Sequence, residues 1–112
     1  MYIFPIVEDY DYKNQENINT GKQREVGVIV RSLKDCVADI IIFGSSIRPD
    51  CKFSSDTDIY VSMKPNVTKD EIYKRLDLRT KNGFDLITNE DNFDSKLRSE
   101  IIKGVNVYED IT

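Results

Sequence analysis

The strongest constraint on the fold is a short, mainly apolar run, Asp39 to Phe43, that stops abruptly at Gly44. Three consecutive isoleucines and a phenylalanine form a segment shorter than most helices. Their β-branched content favours an extended backbone that is covered by other residues. The sequence therefore predicts a buried β-strand here, and the polar residues after Gly44 must leave the sheet at the end of that strand.

Helix and strand patterns alternate around this run. Before it, Val26, Ile29, Leu33 and Val37 recur at spacings of three and four, which predicts an amphipathic helix from about Asn19. Further strands are predicted at Thr57–Val61, Phe84–Thr88 and Val105–Tyr108, and a last helix carries Phe93, Leu97 and Ile101 before Gly104. This order predicts an α+β fold, a small mixed β-sheet with helices packed on one face.

Local signals mark the two ends of the helix between the second and third strands. Thr68 and Glu71 form a capping-box pattern at its start, and Asn82-Gly83 is a typical left-handed terminator. Ile72 lies on the face of this helix that we expect to be buried. The loop at 44–56 is too short for a helical crossover, so the strands it joins need not be parallel.

Length and composition favour one compact unit. The 112 residues fit a single domain, residues 1–112, in which residues 1–18 form an N-terminal arm or an edge strand. Apolar runs stay well below the roughly 20 residues that cross a bilayer, and the N-terminus lacks a basic signal-peptide region. The two cysteines form no CxxC pair. We therefore expect a cytoplasmic protein that has no membrane partner.

The charge balance excludes several classes of function. The chain has 16 basic and 20 acidic residues, for a net charge of −4, which makes nucleic acid an unlikely main partner. It contains no histidine, which excludes His-based catalytic triads and histidine–zinc sites. An acidic chain can still bind a nucleotide when metal ions supply positive charge.

Three aspartates are the candidate metal ligands. Asp56 and Asp58 are two residues apart at the start of a predicted strand, so both side chains leave the same face with α-carbons roughly 6–7 Å apart. Such a pair can share a divalent cation, while Ile59, of opposite parity, faces the core. Asp85, in the next strand, joins them if that strand is a neighbour. It could then hold a metal or accept a proton from an attacking hydroxyl.

The residues after the buried strand are the candidate nucleotide-binding segment. Gly44 allows close approach of the backbone to a ligand, and Ser45 and Ser46 offer hydroxyl and N–H groups to phosphate. Arg48 lies one turn further on and could neutralise phosphate charge. Taken singly, each of these features is more often a turn, a cap or a surface residue, so the conjunction carries the prediction.

That conjunction resembles a known family. Gly44-Ser45, ten intervening residues and then Asp56-x-Asp58, between two apolar strands, are similar to the signature of minimal nucleotidyltransferases of the polymerase-β-like superfamily. The later FDLIT segment resembles the third acidic strand of that family. The resemblance covers roughly residues 24 to 109. Ser46 departs from it, because many members have a basic residue at that position.

The resemblance implies an activity and a set of roles. Ser45 would contact the triphosphate, Asp56 and Asp58 would bind Mg²⁺, and Asp85 would complete the acidic triad. A nucleoside monophosphate, AMP from ATP or the equivalent from another NTP, would move to a hydroxyl acceptor with release of pyrophosphate.

Members of this size often act as the antitoxin of a toxin–antitoxin pair whose toxin is a helical HEPN ribonuclease. The resemblance therefore implies a protein partner of that kind. Two alternatives stay open. One is a binding module that has lost turnover and neutralises its partner by complex formation. The other is an antibiotic-modifying enzyme that works as a homo-oligomer, with a dimer supplying one wall of the drug site.

Overall fold

The structure is a computed structural model of the chain, and it describes residues 11–52, 55–77 and 83–110. The described residues form four strands and three α-helices, which confirms the α+β class. In chain order the elements are α1 (Gln23–Leu33), β1 (Val37–Phe43), β2 (Thr57–Met63), α2 (Lys69–Asp77), β3 (Phe84–Thr88), α3 (Ser95–Ile102) and β4 (Val105–Glu109). A short 3₁₀ turn, Gly44–Ile47, follows β1.

The four strands form one mixed sheet in the order β3-β2-β1-β4. The central strand β1 is antiparallel to both β2 and β4, so the short loop after β1 makes a simple reversal. Strands β2 and β3 are parallel, and α2 is the crossover between them. The predicted mixed sheet is therefore confirmed, and the one parallel pair is the pair that carries the aspartates.

The hydrophobic core lies between one face of the sheet and the helices α1 and α2. The predicted apolar stripe of α1 is confirmed, since Val26, Ile29 and Leu33 are all fully buried. They pack against core residues from three strands and from α2: Ile40, Ile42, Ile59, Val61, Leu86, Ile72 and Leu76. Within each strand, these core residues alternate with residues that point the other way. The latter therefore lie on the opposite face of the sheet.

The assignment of Val37 to the helix is wrong. Helix α1 ends at Leu33, a short turn closes with a hydrogen bond from the N–H of Cys36 to the carbonyl of Leu33 (2.9 Å), and Val37 begins β1. Val37 is nevertheless fully buried in the same core. A spacing of four residues cannot distinguish a longer helix from a turn that returns the chain to the same core.

The segment that carries α3 lies against the other face of the sheet. Phe93, just before α3, meets Tyr60 of β2 edge-on with ring centroids 6.2 Å apart. Gly104, just after α3, packs against the side chain of Ile41. The predicted packing on one face therefore holds for α1 and α2, whereas the segment of α3 contacts strand residues on the opposite face of the sheet.

The N-terminal segment divides at the boundary of the described residues. Tyr2, Phe4 and Ile6, on which the edge-strand alternative rested, lie outside them. Residues 11–18 form a loop with a 3₁₀ turn instead of a strand. Tyr12 donates a hydrogen bond to the carbonyl of Gln23 (2.6 Å), and Ile18 is buried in the core. This part of the arm is packed onto the rest of the protein.

The predicted ends of α2 are confirmed only in part. The N–H of Glu71 donates to the Thr68 hydroxyl oxygen (3.2 Å), but the Glu71 carboxylate pairs with Arg75, so half of the capping box forms. Asn82 lies outside the described residues. Gly83 does not have the left-handed backbone that a terminator of this type needs, and the stretch between Asp77 and Gly83 lies outside the described residues. None of the described helices is long and apolar enough to cross a membrane.

Candidate active site

The register of the sheet places two of the predicted aspartates side by side. In β2, Asp58 pairs with Phe43 at the end of β1 on one side and with Asp85 of β3 on the other. Ile59 and Val61 have the opposite parity and are fully buried, as predicted. The expectation that β3 neighbours the strand of Asp58 is confirmed. Both carboxylates therefore lie on the sheet face that does not form the core.

The electrostatics of Asp58 show how closely the carboxylates approach one another. Asp58 is half-buried, and this burial is the largest of several causes that together raise the pKa of its carboxyl to about 6. The other causes that raise it are the charge of Asp85, a hydrogen bond with Asp85 and the charge of Asp56, while the charge of Arg48 acts in the opposite direction. Asp58 therefore takes up a proton more readily than an isolated aspartate, and both other aspartates act on it electrostatically.

Gly44 brings the end of β1 against Asp58. Its φ of 73° lies in the left-handed region that favours glycine. A Cβ built at this position would lie 3.2 Å from Cγ of Asp58 and closer still to Oδ2. The glycine that begins the serine-bearing turn is therefore in direct contact with the acidic cluster, which brings the two halves of the predicted site together.

Asp56 lies against a second glycine, Gly83, which sequence reasoning did not assign to the site. Asp56 is exposed and immediately precedes β2. A Cβ on Gly83 would lie 3.1 Å from Cγ of Asp56, and the Gly83 carbonyl accepts a hydrogen bond from the N–H of Thr57 (3.1 Å). A glycine directly before an acidic strand was the available signal, and it was interpreted as the end of α2.

The serine-bearing turn Gly44–Ile47 is anchored from outside the predicted motif. Asn19 donates from its backbone N–H to the carbonyl of Ser46 (2.9 Å) and from Nδ2 to the carbonyl of Arg48 (2.7 Å). Asn19 was predicted only as the approximate start of a helix. Its side chain also accepts a hydrogen bond from the Gly21 N–H, so it joins the turn to the chain that leads into α1.

The three polar side chains of the turn region have different surroundings. The Ser45 hydroxyl lies 3.8 Å from Sγ of Cys51, a half-buried free thiol. Ser46 is fully buried, and its hydroxyl has no hydrogen-bond partner in the described part of the chain. Arg48 is exposed and makes a long contact of 3.9 Å to Asp50, so its guanidinium is accessible to a ligand.

The aspartates have the chemistry of a magnesium site. Carboxylate oxygens are the ligands that Mg²⁺ prefers, and a divalent cation would relieve the repulsion that, after burial, raises the pKa of Asp58. Across residues 11–52, 55–77 and 83–110, no group of three or more Asp, Glu, Cys or His is already arranged to hold a metal. The donor types fit the ion, whereas the arrangement of the described carboxylates does not by itself form a site for it.

Comparison with known proteins identifies the family. No curated protein and no solved structure matches the chain significantly. The family model described as "Polymerase beta, Nucleotidyltransferase" matches residues 29–111. That range contains all four strands, the Gly44 turn and all three aspartates of the site. Because the match covers well over half of its length, this chain belongs to the polymerase beta nucleotidyltransferase family.

Proposed function

We propose that this protein transfers a nucleoside monophosphate from a nucleoside triphosphate, with ATP as the first candidate, to a hydroxyl acceptor. One observation carries the proposal: the register of β2 and β3 sets Asp58 beside Asp85 and next to the turn that begins at Gly44, where the charge of Asp56 also acts on Asp58. Family membership supports nucleotidyl transfer as the class of reaction.

The aspartates would hold Mg²⁺ and prepare the acceptor. Bound magnesium would stabilise the charge on the attacking and leaving oxygens of an in-line displacement. Asp58 and Asp56 are its ligands in this proposal. Asp85 is exposed, so it can serve as a ligand and can also accept the proton of the incoming hydroxyl.

The Gly44–Ile47 turn and Arg48 would bind the triphosphate. Ser45 presents a hydroxyl within the turn, and the exposed guanidinium of Arg48 can pair with phosphate oxygens. Ser46, with its side chain enclosed, would contribute through its backbone N–H. This division of roles accommodates a serine at the position where many relatives have a basic residue.

We propose a partner protein as the acceptor. Asp56 and Asp85 are exposed, so a hydroxyl on a large molecule can reach the carboxylates directly. The resemblance to minimal nucleotidyltransferases supports the tyrosine hydroxyl of a HEPN-type toxin, which would make this protein the antitoxin of a cytoplasmic pair. The proposed reaction joins the α-phosphate of the nucleotide to the tyrosine oxygen and releases pyrophosphate and one proton.

A transfer assay with two labels tests this proposal. The protein is incubated with a co-expressed candidate toxin, Mg²⁺ and ATP labelled at either the α- or the γ-phosphate. We expect label from the α-phosphate alone to appear on the partner. Transfer should disappear in Asp56→Asn and Asp58→Asn. It should persist in Asp70→Asn, which alters an exposed aspartate on α2, away from the site.

Two results would contradict the proposal. Label from the γ-phosphate would indicate phosphoryl transfer instead of nucleotidyl transfer. Tight binding of the partner with no label from ATP, GTP, CTP or UTP would indicate a binding module that has the fold without the reaction.

A further inference from the structure

Lys22 is fully buried, which is unusual for a lysine. It ends the 3₁₀ turn Thr20–Lys22, immediately before α1. Its Nζ lies 3.3 Å from a carboxylate oxygen of Glu25 and also donates a hydrogen bond to the backbone carbonyl of Ser55. The buried ammonium therefore joins the start of α1 to the loop that leads into β2.

Glu25 makes a second connection to the same loop. The carboxylate oxygen that contacts Lys22 also accepts a hydrogen bond from the hydroxyl of Thr57, which is fully buried. Ser55 and Thr57 are the two chain neighbours of Asp56. We refer to Lys22, Glu25, Ser55 and Thr57 as the bracket, because they fix the backbone on both sides of that aspartate.

The bracket is continuous with the other contacts of the site. The N–H of Thr57 donates to the carbonyl of Gly83, whose α-carbon faces the carboxylate of Asp56. Asp56 itself is exposed, so close packing around its side chain does not hold it in place. Its position therefore depends on the backbone at residues 55 and 57, which the bracket holds from one side and Gly83 from the other.

General energetics argue against a purely stabilising role for this ion pair. Removing two charges from water costs much of what their attraction returns, and apolar residues of similar size often stabilise a fold as well or better. A buried Lys–Glu pair does provide directional hydrogen bonds to particular atoms. Here those atoms are the carbonyl of Ser55 and the hydroxyl of Thr57, on either side of a candidate metal ligand.

We infer that Lys22 and Glu25 are positioning residues, which set the Asp56 carboxylate for metal binding through the backbone of Ser55 and Thr57. The inference rests on the proposed function, because it assigns to Asp56 a metal that the proposed reaction requires. Neither residue touches the nucleotide or the acceptor in this proposal.

Two sets of variants test the bracket. Thr57→Val removes the hydroxyl that donates to Glu25 and keeps the size of the side chain, whereas Thr57→Ser retains the hydroxyl. The double variant Lys22→Met with Glu25→Gln removes both charges together, which avoids leaving one buried charge unpaired. Ile29→Val, on the buried face of α1, is the control for a simple loss of stability.

The first readout is the Mg²⁺ concentration that gives half-maximal transfer, measured with the turnover number at saturating Mg²⁺. We expect Thr57→Val and the double variant to need about 10-fold more Mg²⁺, the usual scale for losing a group that orients a ligand. The turnover number at saturation should change much less. Thr57→Ser should stay near the wild type, and Ile29→Val should lower the Tm without raising the Mg²⁺ requirement.

The second readout needs no activity. Amide hydrogen exchange at Thr57 should become faster by about 10-fold or more in the double variant, while exchange at Ile40 and Val61 in the sheet centre follows only the change in global stability. Unchanged exchange at Thr57 would overturn the inference, and so would a Mg²⁺ requirement that rises equally in Ile29→Val and Thr57→Val. A wild-type protein without Mg²⁺-dependent transfer would overturn the proposed function instead, and with it the metal role of the bracket.

Discussion

At the scale of single residues, the candidate site depends on two glycines as much as on three carboxylates. Gly44 and Gly83 lie at the ends of different connections, and each brings its backbone against one aspartate, Asp58 and Asp56 respectively. Only Gly44 also needs a left-handed backbone. Substitution at the two glycines should therefore have separable effects on activity and stability.

Gly83→Ala should reduce activity while leaving the fold intact. The added methyl group would meet the carboxylate of Asp56 and displace it, and a shift of about 1 Å in a catalytic group can cost up to about 100-fold in rate. The Tm should change little, because Gly83 is exposed and has an ordinary φ. Steady-state kinetics and thermal unfolding measure the two effects.

Gly44→Ala serves as the comparison, because the same methyl group is added where φ is positive. It should lower activity and also destabilise the fold by about 1–2 kcal/mol. Full activity in Gly83→Ala would show that Asp56 does not need its present position.

The raised pKa of Asp58 predicts how stability depends on pH. Between pH 4 and about 6 the folded protein holds a proton that the unfolded chain has released. The free energy of unfolding should therefore fall as pH rises through this window, by about 1–2 kcal/mol after allowance for partial exposure to solvent. Urea denaturation at pH 4.5 and pH 7 measures this difference, and Asp58→Asn should reduce it and stabilise the protein at pH 7.

The same titration should appear in the kinetics. The value of kcat/KM should fall below about pH 6, where Asp58 takes up its proton and loses its charge as a ligand. Saturating Mg²⁺ should move this fall in kcat/KM to lower pH, because the cation competes with the proton for the Asp58 carboxylate. A pH profile that is flat from pH 5 to 8 would contradict the assigned role of Asp58.

At the scale of secondary-structure elements, the register of β3 decides whether Asp85 reaches Asp58. That register is supported just beyond the strand, where Asp91 accepts hydrogen bonds from the N–H of Thr88 (2.8 Å) and from Nζ of Lys69 at the start of α2 (2.7 Å). The end of β3 is thereby joined to the helix that precedes it in the chain. The lysine contact and the Thr88 N–H hold the pKa of the Asp91 carboxyl below its usual range.

Asp91→Ala should destabilise the protein by about 1 kcal/mol at pH 7. It removes the carboxylate that accepts the hydrogen bond of the Thr88 N–H, and with it an ion pair that is only partly shielded from solvent. Because the folded pKa is lowered, the contribution of Asp91 is present above the unfolded pKa and is lost as pH falls through the folded one. Urea denaturation should show the difference shrinking in acid. Glu90→Ala, at the exposed neighbour, is the control, and an equal loss there would contradict the assignment.

At the scale of the whole molecule, the two faces of the sheet separate the residues that stabilise the fold from the aspartates of the candidate site. One face packs on α1 and α2 to form the core, and the other face carries Asp58 and Asp85. The two sets of residues alternate along the same strands and belong to different layers. Substitutions in one layer should therefore affect mainly the property of that layer.

Leu33→Ala, in the fully buried stripe of α1, should lower the free energy of unfolding by about 2–5 kcal/mol. Well below its reduced Tm the variant should retain most of its transfer activity. Asp56→Asn should do the opposite, with activity lost and the Tm unchanged or raised. Ile102→Ala, at a side chain that is 76% exposed, should change stability by less than about 0.5 kcal/mol, and thermal unfolding tests all three.

Local sequence patterns by themselves determined the type of most elements and selected the candidate residues of the site. The bounds of β3 were predicted correctly, and alternation along β2 separated Ile59 from Asp58 before any fold was known. The spacing from Gly44 to Asp58 identified the family resemblance, which the match over residues 29–111 supports at the level of the superfamily. Periodicity and motif spacing succeed here because they depend on residues that are near one another in the chain.

Only the tertiary structure decided which distant groups meet. Strand order placed Asp85 beside Asp58, and it brought Gly83 against Asp56. Lys22 appears in sequence as one of many surface lysines, yet it is fully buried because a loop 33 residues away supplies its carbonyl partner. Pairing, register and burial arise from contacts between segments far apart in the chain, and patterns within one segment carry no information about them.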